Sequence, residues 1–299
     1  MSEELFLQSN SLSATIDVQR GGNIRELIDF ESNTNWIYYD RSREHTHNAT
    51  VRDYDERWCG GFEELFPNDA PCVFEGRNLL DHGELWDAPF TIIEKTNRAI
   101  HLQKTCYTVP AIVEKKISLH TSLPKLTIEY SLSNISNEAF SYLFKLHPAI
   151  AIKEGDTIQL SGGKIIPVDL QFSKIIDTER HFSWPFATMK NGTRKDLRIV
   201  PSFESSLQEF VYVSEMPEGY CGIMRSEIRK ELRIHFPLQT FPYCWMFMTY
   251  GGWRNHYTLV LEPCTNMPKD LASAKKLGQC AFLHAGEKKI FTVEIEIVQ

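Results

Sequence analysis

The run Ala111-Ile-Val-Glu-Lys-Lys-Ile-Ser-Leu-His120, the break at Leu123-Pro-Lys125 and the run Leu126-Thr-Ile-Glu-Tyr-Ser-Leu-Ser-Asn134 read as strand, turn, strand. The reading extends both ways. Thr91 to Glu94 and Ala99 to Tyr107 come before it; Asn134-Ile-Ser-Asn137 is a further turn, and Ala139 to Leu146 a further strand. Short strands at spacings of roughly ten residues, with no helical period between them, predict an all-β chain folded as a large antiparallel β-sandwich.

Upstream, Leu5 to Val18, the turn Arg20-Gly-Gly22 and Ile24 to Ile28 read as strand, turn, strand, and Trp36 to Tyr39 resumes after Asn33-Thr-Asn35. Downstream, strands are expected at Asp156 to Leu160, Lys164 to Val168, Glu209 to Val213, Tyr220 to Met224, Glu231 to Phe236, Tyr243 to Met248 and Lys289 to Val298. No domain-length linker, low-complexity stretch or internal repeat intervenes, so residues 1–299 are expected to form a single domain.

Composition narrows the function classes. The chain is 42% apolar and 24% charged, enough for a sizeable core. A formal net charge of -7 gives no electrostatic reason to bind nucleic acid or an anionic membrane. A neutral small molecule suits it better. The acidic start Met1-Ser-Glu-Glu-Leu-Phe6 lacks the basic and apolar regions of a signal peptide, and no long apolar run occurs. A cytoplasmic protein, monomer or homodimer, is expected. The 7 cysteines are scattered, with no C-x-x-C pair, and read as reduced thiols.

Several residues are candidates for chemistry. In Tyr257-Thr-Leu-Val-Leu-Glu-Pro263, an apolar strand leads into Glu262, and Pro263 is expected to stop the ladder behind it. A buried carboxylate is costly unless paired or hydrogen-bonded, so Glu262 marks either a site or the strand's exit to solvent. Phe144-Lys-Leu-His-Pro-Ala-Ile-Ala-Ile152 repeats the arrangement, with His147 inside an apolar strand and Pro148 behind it. His82, between Asp81 and Gly83, is a proton carrier or a structural histidine, with Asp81 or Glu84 to orient it.

The stretch Arg57-Trp-Cys-Gly-Gly-Phe-Glu-Glu-Leu-Phe-Pro-Asn-Asp69 has no regular period. Gly60 and Gly61 permit positive φ, and Trp58, Phe62 and Phe66 are candidates to wall a pocket. Five aromatic residues between Tyr243 and Trp253 lie close to Glu262 in sequence; such rings stack on sugars or pack a core. His45 and His47 are spaced as ligands on one side of a strand, but no third ligand stands near, and a solvated loop is expected with no metal.

Together, Gly21-Gly22, Gly60-Gly61 with Pro67, HGELW at 82–86, LHPAIAI at 146–152 and LVLEPCTNMP at 259–268 resemble the aldose 1-epimerase (galactose mutarotase-like) family over nearly the whole chain. The most specific pieces are the H-P after an apolar strand and the late E-P-x-T-N-x-P. The resemblance implies a supersandwich with an open sugar cleft on one sheet, and no metal or cofactor. It implies that Glu262 is the general base on the anomeric hydroxyl, that His147 is the acid serving the ring oxygen, and that His82 contacts the sugar. Glu63, Glu64, Trp253 and Arg57 are further candidates for sugar binding.

For acid and base to act at neutral pH, Glu262 is expected ionised and His147 protonated, each supporting the other's charge. Two departures stand out. Many members carry an arginine directly before the paired glycines, where this chain has Cys59, with Arg57 further back; the family's substrate-binding aspartate has no clear match, with Asp169 and Asp177 as candidates. The acidic 63–69 stretch argues against a phosphorylated ligand. Two other readings stay open. One is a non-catalytic sugar-binding or sugar-sensing protein. The other is a glycoside hydrolase or lyase pairing Glu262 with Glu63 or Glu64.

Overall fold

Side chains of Ala111–Leu119 alternate between core and surface: Ala111, Val113, Ile117 and Leu119 point inward with Lys115 among them, and the residues between are more exposed. A period of two gives such a strand one face for the core and one for water. Lys125–Asn134 and Lys288–Val298 repeat the pattern and pair with it in antiparallel succession. They lie within an eight-stranded sheet. The computed structural model describes residues 4–44 and 53–299. His45 and His47 lie outside the described residues.

The facing layer is an eleven-stranded sheet. It begins with Glu4–Gln8, Leu12–Asp17 and Asn23–Asp29, then passes through Phe62–Leu65, Lys145–Ala151, Tyr257–Cys264, Tyr243–Tyr250 and Leu207–Ser214 to Lys164–Pro167. The core lies between the layers, where Leu146, Met246, Leu259 and Leu261 share one cluster with Leu102, Ile117, Leu126 and Val293. The protein is thus a large antiparallel β-sandwich.

Unlike the eight-stranded sheet, the middle of this layer is covered on its outer face too. Lys145–Ala151 and Tyr257–Cys264 are buried along almost their whole length. Two smaller aromatic clusters sit there: one includes Tyr212 and Trp245, the other Tyr54, Trp58 and Trp86.

Three details differ from expectation. The segment 5–18 is two strands, because Ser9 Oγ accepts from Leu12 N–H at 3.0 Å and turns the chain. The run 139–146 also splits: Phe140–Tyr142 pairs with Ala281–Leu283, and a new strand starts at Lys145. Most important, neither proline ends its strand. Pro148 lies inside Lys145–Ala151 and Pro263 inside Tyr257–Cys264.

The ladder between these two strands has pairs at Lys145 with Cys264 and at Ala149 with Val260, and none at the positions between. There Leu146 faces Pro263 and Pro148 faces Leu261, so the missing N–H groups open the ladder locally. Each strand is held through the gap by its other neighbour: Phe62–Leu65 pairs with Leu146 to Pro148, and Tyr243–Tyr250 with Leu261 to Pro263.

Candidate active site

Residues directly opposite one another in antiparallel strands share a face of the sheet. The register therefore lays one row across the outer face: Glu63 opposite His147, Trp245 opposite Glu262 and Tyr212 opposite Trp245. His147 and Glu262 confront each other across the proline gap, with Nε2 3.8 Å from Oε1. Lys145, two residues before His147, points the same way and sets Nζ 2.7 Å from Glu262 Oε2. It also hydrogen-bonds Asp69 and lies 4.1 Å from the centroid of the Trp245 ring.

His147, Glu262, Trp245 and Lys145 form the floor of a cleft of about 340 Å³. Its walls are largely aromatic, with Trp58, Trp253, Phe172 and Phe247 among them, and His82 and Asp81 stand at one side. The His82 ring stacks on Tyr54 at 3.6 Å between centroids and 6° between planes, and its Nδ1 is 2.9 Å from Asp81. Its backbone is left-handed (φ 57°), pinned by an N–H donated to Asp69 O at 2.7 Å. The next residue must be glycine, since a Cβ at Gly83 would meet Phe66 O at 2.1 Å.

Burial and charge set the protonation of the floor. Burial pushes His147 well below its ordinary value, and the Lys145 ammonium and His82 push the same way. His147 is therefore neutral at rest, contrary to expectation. The cation beside Glu262 is Lys145. Burial alone would depress Lys145, but Asp69 and Glu262 raise it above its ordinary value.

The two carboxylates share that cation unequally. Against burial, Lys145 holds Asp69 below its usual value, whereas burial keeps Glu262 above its own despite Lys145. Glu262 is the more basic of the two, which suits a proton acceptor.

The structure brings His82, His147, Glu262 and Trp253 to one cleft, with Trp58 and Asp69 from the 57–69 stretch. Phe62 and Phe66 belong to the inter-sheet core instead. Glu63 lies behind the floor, where its Oε1 accepts from the Tyr54 hydroxyl and is 3.6 Å from His147 Nδ1. Glu64 points to the opposite face, accepting from Lys115 Nζ at 2.9 Å and the Tyr130 hydroxyl at 2.5 Å between the sheets. Arg57 turns away from the cleft to pair with Asp87, its Nη2 at 2.8 Å, over the Trp86 ring.

A glycosidase pair of Glu262 with Glu63 or Glu64 thus loses its geometry, since neither partner reaches the cleft. Asp169 lines the cleft, and Asp177 is exposed elsewhere, accepting from Lys190 N–H at 2.8 Å. Among the described residues, no three His, Cys, Asp or Glu side chains gather in a way that could hold a metal ion.

Sequence reading missed Lys145, Tyr54 and Asp69. The spacing of Lys145 and His147 carried a signal, since residues two apart in a strand share a face. Tyr54 had none: it sits in a one-turn helix, Tyr54–Arg57, whose place over His147 is purely tertiary.

Solved structures share this architecture along its full length. The Slr1438 protein of Synechocystis sp. PCC 6803 superposes with a TM-score of 0.75 at 15% identity, covering 99% of this chain and 96% of that one. A candidate aldose 1-epimerase of Escherichia coli K12 gives 0.74 at 14% identity over 100% and 99%. A galactose mutarotase related enzyme of Lactobacillus acidophilus gives 0.67 at 13% identity over 99% and 97%. No family profile matches the sequence, and no curated protein sequence matches it. The likeness at these identities is one of fold. Among the described residues, no helix is long and apolar enough to cross a membrane.

Proposed function

We propose that residues 1–299 act as a single-domain aldose 1-epimerase-like isomerase that interconverts the α and β anomers of a free sugar by opening and closing its ring. The observation that carries the reading is the pair His147 Nε2 and Glu262 Oε1, 3.8 Å apart on the floor of an aromatic-walled cleft. Opening a hemiacetal requires a proton to leave the anomeric hydroxyl and another to reach the ring oxygen, two atoms on the same carbon. Glu262 accepts the first and His147 serves the second. Rotation about the C1–C2 bond then presents the other face of the carbonyl, and the reverse transfers close the ring.

Lys145 holds Glu262 in its basic form, while His82 binds a sugar hydroxyl and Trp253 with Trp58 supplies apolar walls. None of these steps calls for a nucleophile or a redox cofactor. A small-molecule sugar is the expected partner and the cytoplasm the expected location.

Polarimetry, or saturation-transfer NMR of anomer exchange, over a panel of free aldoses tests the reading. Acceleration by the intact protein, lost in Glu262→Gln and in His147→Ala, is the expected result. Binding detected by calorimetry with no exchange for any aldose would replace the enzymatic reading with a sugar-binding one.

A further inference from the structure

An imidazole that is neutral at rest is a poor acid for a ring oxygen, and His147 has an unusual back side. Its Nδ1, remote from Glu262, faces the Tyr54 hydroxyl at 3.3 Å and Glu63 Oε1 at 3.6 Å. The same hydroxyl is hydrogen-bonded to Glu63. Stacking on His82 and an edge contact with Trp86, centroids 4.9 Å apart at 88°, fix the Tyr54 ring. Glu63 stands directly opposite His147 in the ladder, buried, out of reach of any ligand in the cleft, with Asn23 Nδ2 3.5 Å from its other oxygen.

We propose that Glu63 and Tyr54 form a proton relay behind His147, so that a neutral imidazole can deliver a proton to the sugar and be resupplied from its far side in the same step. The kinetic part of this inference rests on the mutarotase reading above; the hydrogen-bond logic does not. Tyr54 has one O–H. When Glu63 is ionised, that O–H donates to the carboxylate, and the Tyr54 oxygen accepts from Nδ1–H. When Glu63 carries a proton, its O–H donates to Tyr54, the Tyr54 O–H turns to Nδ1, and the His147 proton sits on Nε2, facing the cleft.

Ring opening starts from the second arrangement. Nε2 gives its proton to the ring oxygen as the C1–O5 bond breaks. Nδ1 takes the Tyr54 proton, Tyr54 takes the Glu63 proton, and Glu262 takes the proton of the anomeric hydroxyl as C1=O1 forms. Ring closure on the other face runs each transfer backwards.

The surroundings of Glu63 suit a group that changes state near neutrality. Burial pushes it up to about 7, opposed by the Tyr54 hydrogen bond, Arg20 and His82, and abetted by Glu64 beside it. Arg20 reaches it from the turn before Asn23–Asp29, His82 from the loop across the cleft, and His147 from the paired strand; Cys59 also stands near.

The deciding measurement is ¹⁵N NMR of histidine-labelled whole protein across neutral pH, which reads the tautomer of His147 whether or not the protein turns over sugar. A neutral ring protonated on Nε2 below about pH 7 and on Nδ1 above it is expected, with the step abolished in Glu63→Gln and in Tyr54→Phe. The amide introduced by Glu63→Gln still donates an N–H to Tyr54, so the fold is retained. A single tautomer throughout, or a step unchanged in both variants, would overturn the relay.

In anomer exchange, the intact protein should lose kcat above about pH 7, and Glu63→Gln should run ~10²-fold lower with a flat profile and a KM within about twofold. A merely structural Glu63 would instead leave the pH limb in place, and that result also overturns the proposal. Absence of exchange in the intact protein would remove the mutarotase reading, with the tautomer step still deciding the relay.

Discussion

Glu63 and Glu64 are consecutive residues of one strand, and each ends in a buried cluster on its own side of the sheet. On the inner side, Glu64 meets Lys115 and Tyr130, and Lys115 also donates to Gly22 O at 3.0 Å. One cation serves one carboxylate, and the space is filled. On the outer side, Lys145 is divided between Asp69 and Glu262, Glu63 has a tyrosine rather than a cation as its closest partner, and His147 is left neutral. The same residue types make a closed pair in one place and an incompletely compensated, cleft-facing set in the other. What separates structure from chemistry here is the ratio of charges and the open space above them.

Breaking each side should give effects of different kinds. On the outer side, Glu262→Gln keeps shape and hydrogen-bonding capacity but removes the base, so anomer exchange should fall ~10²- to 10⁴-fold while the urea midpoint barely moves. On the inner side, Lys115→Ala strands Glu64 between the sheets and should cost about 3–5 kcal/mol of stability by urea denaturation. Its exchange rate per folded molecule should match that of the intact protein. A loss of activity in Lys115→Ala beyond its unfolded fraction would mean the two faces are coupled, and the contrast would fail.

The sharper test of the outer cluster is Lys145→Met. Without the ammonium, Asp69 and Glu262 face each other in a buried place with no cation between them, and both carboxyls move up. The rising limb of kcat/KM against pH should therefore shift to higher pH and run into the fall that Glu63 imposes above about pH 7, leaving a narrower and lower maximum. A limb unmoved but lowered throughout would show that Lys145 acts on the sugar itself rather than through Glu262.

How far the sequence reveals this arrangement depends on which distances are local. The strands around 111–134 are legible because their alternation is written in consecutive residues. The pairing of His147 with Glu262 is legible only through the likeness of their H-P and E-P contexts, and the prolines read as terminators because a lone strand gives no sign that its other neighbour will hold it. The opposite fates of Glu63 and Glu64 depend on register, which a one-residue slip would exchange. Arg57 and Tyr54 share one helical turn, yet Tyr54 covers His147 and Arg57 pairs with Asp87; nothing in that turn's composition says which faces the cleft.

The smallest effects should also be the most diagnostic, because two neighbours on the outer face pull stability in opposite directions with pH. Folded His147 refuses a proton that the unfolded chain binds below its ordinary 6.5, so this group's contribution falls as pH drops below that value. Folded Glu63 keeps, up to about 7, a proton that the unfolded chain releases near 4.5, so its contribution falls as pH rises between those values. Each acts with a slope of at most roughly 1.4 kcal/mol per pH unit. Urea midpoints from about pH 4.5 to about pH 8 should show His147→Gln flattening the acid-side decline and Glu63→Gln flattening the decline toward neutrality. Both variants changing the slope in the same direction would mean that burial does not hold the two groups in opposite protonation states, and the outer cluster would then be no different in kind from the inner one.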